Sequence, residues 1–368
     1  MTEFVGNRGS PGRSPIRTAP PQLFERYRER LQEALRRAVP QGTPGIHSLL
    51  RYHLGWEDQN GSALSDGAHQ GKALRPTLCL FACEALDGDW RNALPAAAAL
   101  ELAHNFSLIH DDIQDGDRER RHRPTVWSLW GRPNALWAGN AMRILADLAA
   151  ASPRSEPGAS PSPYGAPAEA VARASQLLTQ RYVEMIEGQY LDLSYEGRLD
   201  IAVEDYIYMV SHKTGALIRC AMELGAIMAG ADDIAIETFG GCGHLLGLAF
   251  QIKDDVLGIW GDTAATGKAA GNDIWRRKKS FPVVYTFQHA SGADREALIR
   301  IYRTVTLQAE DVEQVLTIME AVGARQYSEA QAGEHASLSL KSVQGLQLNA
   351  WAKDCLEEMV QFLVARDY

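Results

Sequence analysis

Aspartates and arginines crowd one short stretch of the 368-residue chain. Residues 108–125 read LIHDDIQDGDRERRHRPT, with Asp111, Asp112, Asp115 and Asp117 next to Arg118, Arg120, Arg121 and Arg123. A mostly apolar run over 100–109 precedes them, so the spacing predicts a buried helix that runs into the acids. On a continuous helix Asp111 and Asp115 lie four residues apart and share one face. Two carboxylates on one face raise each other's pKa, and a divalent ion removes that repulsion. Hard oxygen ligands of this kind suit magnesium.

A second cluster follows at 250–262, FQIKDDVLGIWGD, where Gln251, Asp254 and Asp255 sit on an otherwise apolar helical pattern. Adjacent carboxylates on such a helix need a partner, because an unpaired buried charge is very costly. A salt bridge to Lys253, or a helix end reaching solvent, would serve as well as a metal for this cluster alone. Two such clusters in one chain favour metal. Basic residues stand at several element boundaries: Lys72 and Arg75 in GKALRP, Lys213 with Thr214 in SHKTGAL, and Lys268, Lys278 and Lys279 around Asp273 in GKAAGNDIWRRKKSFP. Singly, each reads as a surface charge or a helix cap. Together, carboxylates, magnesium, Lys and Arg form a binding set for a diphosphate.

The elements that must position these groups are helical throughout. Phe24, Tyr27, Leu31 and Leu35 recur at helical spacing until Pro40 stops the run. GKALRP at 71–76 leads into an apolar segment through Leu86, and further helical patterns cover 90–109, 135–150, 168–193, 203–229, 234–260 and 281–289. Alternating strand patterns bounded by hairpin turns are nearly absent. The expected fold is all-α, one large helical bundle over 22–368, with the site in its core. Residues 1–21, rich in Gly, Pro, Ser and Arg, read as a disordered lead-in. Residues 151–167, rich in Ser, Pro and Gly, read as a flexible insertion between helices.

Apolar residues make up 45% of the chain, enough for a substantial core, and the formal charge is −9. That balance argues against a general nucleic-acid binder and against an anionic membrane as main partner. No run of about 18 apolar residues suggests a membrane span, and the start lacks a signal-peptide pattern. The five scattered cysteines, Cys79, Cys83, Cys220, Cys242 and Cys355, read as free thiols in a reducing cytoplasm rather than as a zinc site.

The ordered motifs resemble the trans-isoprenyl diphosphate synthases, the polyprenyl synthases that make farnesyl, geranylgeranyl and longer diphosphates. The family's DDxxD with two arginines and PT corresponds to Asp111, Asp112 and Asp115 with Arg120, Arg121, Pro124 and Thr125. Its GKxxRP is Gly71, Lys72, Arg75 and Pro76, and its preceding histidine is His104. Its KT pair is Lys213 and Thr214, and its FQxxDD is Phe250, Gln251, Asp254 and Asp255. Its GKxxGxD and following lysine fall on Gly267, Lys268, Gly271, Asp273 and Lys278. The resemblance spans about residues 71–282.

It implies an all-α fold around a deep cavity, usually a homodimer, with three magnesium ions. Asp111 and Asp115 would hold two ions and Asp254 the third, bridging to an allylic diphosphate. Arg120, Lys213, Gln251 and Lys268 would help hold that diphosphate, Lys72, Arg75, His104 and Arg121 would hold isopentenyl diphosphate, and Thr214 and Lys278 would belong to the same substrate-binding set. Asp112 belongs to the same catalytic set. Phe106, five residues before Asp111, would form a floor beneath the growing chain, which favours a geranylgeranyl product over farnesyl; otherwise it is ordinary core. Three positions depart from the family: Gly258 where many members carry a third aspartate, Gly139-Asn140 where they read GD, and Ala73 where arginine is frequent. A terpene cyclase on the same scaffold would need the acids but not Lys72, Arg75, His104 and Arg121. A non-catalytic partner subunit would not need both acidic clusters intact.

Overall fold

The computed structural model describes residues 21–41, 45–65, 71–152, 166–261 and 271–365. The expected lead-in (save Pro21), residues 153–165 of the expected insertion, and Lys268 lie outside the described residues. Among the described residues the fold is all-α, with one two-stranded hairpin.

Helix α1 (Gln22–Ala38) buries Tyr27, Leu31 and Leu35 along one stripe. It stops because Pro40 drives Val39 into an extended conformation. The short α2 (Ile46–His53) follows, then α3 (Leu74–Ala85), buried nearly all round. Helix α4 (Leu94–Asp115) carries a proline in its first turn, where the missing N–H costs nothing, and ends at Gly116 with φ +69°. The alanines at 96, 97, 98 and 99 keep α4 slim, so α3 and α6 (Arg132–Ala151) pack closely on it. As the acid spacing implied, α4 continues unbroken through Asp111 and Asp115.

The chain leaves α4 into the hairpin β1 (Glu119–Arg120) and β2 (Arg123–Pro124). Arg121 and His122, both with positive φ, make the two-residue turn that right-twisted strands prefer. Tyr52 of α2 donates to Pro124 O at 2.7 Å, while Arg123 donates to Tyr52 O and Glu57 O. These bonds tether the hairpin, and with it Arg120 and Arg121, to the bundle. Val126–Trp130 (α5) then leads into α6.

Helix α7 (Ala168–Tyr195) packs on the next segment, the helical pattern over 203–229 that Lys213 and Thr214 are expected to interrupt. The interruption is there. Helix α8 (Val203–Val210) passes through a π-helical turn, Ser211–Gly215, into α9 (Ala216–Met228). A Cβ on Gly188 of α7 would lie 2.1 Å from Lys213 N, so the widened turn rests directly on the α7 backbone. Helix α10 (Asp233–Trp260) is capped by the Asp232 side chain and packs on α9 and on the helix Ala324–Ser342. Asn272–Trp275, Phe281–His289, Gly292–Arg303, Ala309–Ala321 and Ala350–Ala365 complete the bundle.

One large apolar core joins α1, α3, α4, α6, α7, α9 and α10, with smaller clusters under the C-terminal helices. All five cysteines are unpaired thiols, four of them buried. No described helix is long and apolar enough to cross a membrane.

Candidate active site

Helix α4 is buried almost throughout, but His104, Ser107, Leu108, Asp111 and Asp115 are more accessible than Asn105, Phe106, Ile109 and Asp112. Their spacing is one helical stripe. Burial pushes the Asp111 carboxyl up to about 6; Lys213 opposes that and Asp115 adds to it. Asp115 is raised for the same reason, burial, again against Lys213. Asp112 lies off this stripe and is 2% exposed. Arg120 Nε donates to it at 2.7 Å, yet burial still pushes its carboxyl up to about 6, and its Oδ2 has no partner. Asp112 therefore anchors the hairpin arginine, while Asp111 and Asp115 face outward.

The second cluster divides in the same way. Asp255 is 1% exposed and receives Tyr206 OH at 2.5 Å, Phe281 N at 2.8 Å, Gln251 Nε2 at 3.0 Å and Lys278 Nζ at 3.2 Å. Four donors saturate both its oxygens, leaving no capacity for an ion. Asp254 is half-buried on the neighbouring position. Gln251 in turn accepts from Thr214 Oγ1 at 2.8 Å, which ties α10 to the π-turn.

Lys213 stands with the first cluster. Its ammonium is ion-paired with Asp192 of α7, and its charge also acts on Asp111 and Asp115. Asp192 escaped the sequence reading. The signal it left is an acid between Leu191 and Leu193, three residues after Gln189, which donates to Gln114 of the first cluster at 2.8 Å.

A separate basic group sits at the other end of the α4 stripe. Arg75 Nη1 lies 3.1 Å from His104 Nε2. Burial holds the His104 imidazole well below its usual range, with the nearby arginines adding to it, so the ring is neutral. Burial also lowers Arg75, opposed by the charges of Glu101 and Asp254. Arg121, likewise lowered by burial, lies against Gly71: a Cβ there would be 2.6 Å from its Nη2. The glycine of GKALRP thus makes room for a hairpin arginine. Lys72 is exposed, with its ammonium 5.4 Å from the Phe362 ring. His53, also missed from the sequence, lines a cleft with Asp112, Arg120, Arg121 and Arg123.

Phe106 is 7% exposed and lies off the accessible stripe, edge-on to Tyr182 of α7 at 6.2 Å and to His110 at 5.6 Å. Gly139 of α6 leaves space for His110, whose ring a Cβ would meet at 2.2 Å.

Among the described residues no three His, Cys, Asp or Glu side chains converge tightly enough to hold a metal by themselves. The donor set nevertheless fits a hard cation shared with a ligand. Asp111 and Asp115 share one face and are raised in pKa chiefly by burial, so a cation there would compete with protons for them. A diphosphate could supply the remaining oxygens.

The chain matches the family model described as polyprenyl synthetase over residues 62–319. It is 36% identical to the (2E,6E)-farnesyl diphosphate synthase of Mycobacterium tuberculosis, over 92% of this chain and 91% of that one. It is also 36% identical to a geranylgeranyl diphosphate synthase of the same organism, over 87% and 88%. The crystal structure of a polyprenyl synthetase from Streptomyces coelicolor superimposes with a TM-score of 0.82 at 35% identity, covering 93% of this chain and 98% of that one. Fold, site and sequence agree: the chain belongs to the polyprenyl synthetase family, the trans-isoprenyl diphosphate synthases, which are prenyltransferases.

Proposed function

We propose that the protein condenses isopentenyl diphosphate with an allylic diphosphate, and that its product is geranylgeranyl diphosphate. The observation that carries this is the split of the basic residues into two groups. Lys213 is paired with Asp192 and Lys278 with Asp255, while Arg75 and Arg121 gather around His104, each contributing to its lowered pKa, with Asp254 close enough to act on Arg75. A cyclase would need only the first group.

Asp111, Asp115 and Asp254 would hold magnesium, three ions in all. Bound there, magnesium neutralises the charge of the allylic diphosphate and makes it a better leaving group. Arg120, Lys213, Thr214, Gln251, Lys268 and Lys278 orient that diphosphate, and Asp112 holds Arg120 at the correct place. The allylic C–O bond breaks and its electron pair leaves with the diphosphate, whose growing charge the fixed ammonium and guanidinium groups stabilise. Lys72, Arg75, His104 and Arg121 hold isopentenyl diphosphate so that its double bond meets the allylic carbon. A new C–C bond forms, and the released diphosphate takes the proton lost from the isopentenyl unit. No protein nucleophile enters. The apolar wall excludes water, which would otherwise quench the cation.

The longer product rests on the resemblance, in which an aromatic five residues before Asp111 floors the growing chain; here Phe106 packs edge-on to Tyr182, and farnesyl diphosphate is the alternative product. A homodimer fits the apolar side chains left exposed on adjoining helices, Trp137, Ile144 and Leu148 on α6 and Val183, Ile186 and Tyr190 on α7. Five unpaired thiols suit a cytoplasmic setting.

Incubation with magnesium, isopentenyl diphosphate and dimethylallyl, geranyl or farnesyl diphosphate tests the reading. Chain-extended diphosphate ending at twenty carbons is expected. Cyclic hydrocarbon from geranylgeranyl diphosphate, without extension, would overturn it.

A further inference from the structure

Asp273 has no role in the assignments above, yet it lies against the second acidic cluster. A Cβ built on Gly258 would fall 2.5 Å from Asp273 Oδ2, 2.7 Å from its Cγ and 2.9 Å from Oδ1. No real side chain tolerates such contacts, so the Asp273 carboxylate occupies the place a side chain at 258 would take. That place is four residues after Asp254 and three after Asp255, on the same helical face.

The local fold is built to deliver the carboxylate there. Gly271 N donates to Ile259 O at 3.0 Å, which returns the chain to the end of α10. Gly271, with φ +71°, then starts the short helix Asn272–Trp275. Lys278 N donates to Asp273 O at 2.9 Å and closes the fold-back. The side chain of Lys278 is thereby aimed at two carboxylates, Asp255 Oδ1 at 3.2 Å and Asp273 Oδ2 at 3.9 Å. Asp273 itself is 7% exposed.

We propose that Asp273 is a positioning residue of the second acidic cluster: seated on Gly258, it shares Lys278 with Asp255 and sets where that ammonium meets the allylic diphosphate. The glycine at 258 and the acid at 273 are one device. The side chain that Gly258 lacks leaves room for a carboxylate from a segment that folds back onto the helix. This rests on the assignment of Lys278 to the allylic diphosphate made above.

Two experiments test it. The first needs no ligand: Gly258→Ala should lower the melting temperature of the otherwise unaltered chain by several degrees, and much less in an Asp273→Gly background. Equal losses in both backgrounds would overturn the seat. The second uses Asp273→Asn, which keeps the shape and removes the charge. Its KM for the allylic diphosphate should rise about ten-fold with KM for isopentenyl diphosphate unchanged. The stabilisation of the protein by magnesium plus inorganic pyrophosphate should shrink in parallel. A purely structural acid would lower the melting temperature and leave that KM split and the pyrophosphate shift untouched, and this would overturn the proposal while the synthase assignment stood. An unaltered protein that neither extends chains nor responds to magnesium pyrophosphate would overturn the assignment and the proposal together.

Discussion

Lys213 is ion-paired with Asp192 of α7, and the charges of both act on Asp111 and Asp115 of α4. The lysine is thereby held where its charge acts on Asp111 and Asp115 without closing either of them off. Its position depends on a glycine 25 residues earlier, Gly188, which lets the π-turn lie on α7.

Asp192→Asn should therefore release Lys213 while leaving the fold intact. Losing a charge-assisted bond of about 1.5–3 kcal/mol predicts a fall in kcat/KM of roughly ten- to hundred-fold. Steady-state kinetics beside a melting curve check it. Undiminished turnover would mean that Lys213 needs no partner to stay in place.

Gly188→Ala acts on the same contact from the other side. The added methyl meets Lys213 N at 2.1 Å, so the π-turn must shift at a cost of about 1–3 kcal/mol. Urea denaturation reads the stability, and the affinity for the allylic diphosphate reads the shift. A variant with normal values for both would show that the turn tolerates displacement.

Asp111→Asn should abolish most turnover and yet stabilise the metal-free protein. Burial raises this carboxyl from 3.8 to about 6. A raised acid binds more protons folded than unfolded between those values, so the stability it contributes falls as pH rises through that window. Above pH 6 the ionised group costs on the order of 1–3 kcal/mol, which the amide removes. Melting in a chelator at pH 7.5 measures it. A lower melting temperature for the variant would contradict the assigned burial. Asp254→Ala should lower turnover as severely without loss of fold, and normal activity in it would remove that acid from the metal set.

Magnesium bound at Asp111 would have to displace the proton that this carboxyl holds near pH 6. Apparent magnesium affinity should then weaken steeply below that pH and level off above about 7. Titration calorimetry with inorganic pyrophosphate at pH 5 and pH 7.5 tests this. Equal affinities would argue that Asp111 is not linked to the ion.

Phe106→Ala should lengthen the product by opening the space in front of Tyr182. A stability loss of about 3–5 kcal/mol accompanies the truncation of a buried ring. Mass analysis of the products is decisive, and an unchanged length would leave Phe106 as core alone.

Much of the site was legible from residue order because its motifs are local. Asp111 and Asp115 share a face by helical period alone, and α4 does continue through them. The family and the all-α class follow from motifs that lie within single helices or their ends. Residues 203–229 mark the limit. Lys213 and Thr214 signal an interruption there, but its form, the widened turn at Ser211–Gly215, belongs to the contact with α7 at Gly188, between segments 25 residues apart.

The same distinction separates the acids. Helical spacing paired Asp111 with Asp115, and the resemblance put the third ion on Asp254, but neither showed what holds the adjacent Asp112 and Asp255. Packing decides that: Arg120 reaches across from the hairpin to Asp112, and Tyr206, Phe281 and Lys278 converge on Asp255 from two other segments. The two acidic motifs were present in the chain as written. The division of each adjacent pair into one anchored and one more accessible carboxylate belongs to the tertiary structure, because burial and hydrogen-bond donors arrive from residues that only folding brings near.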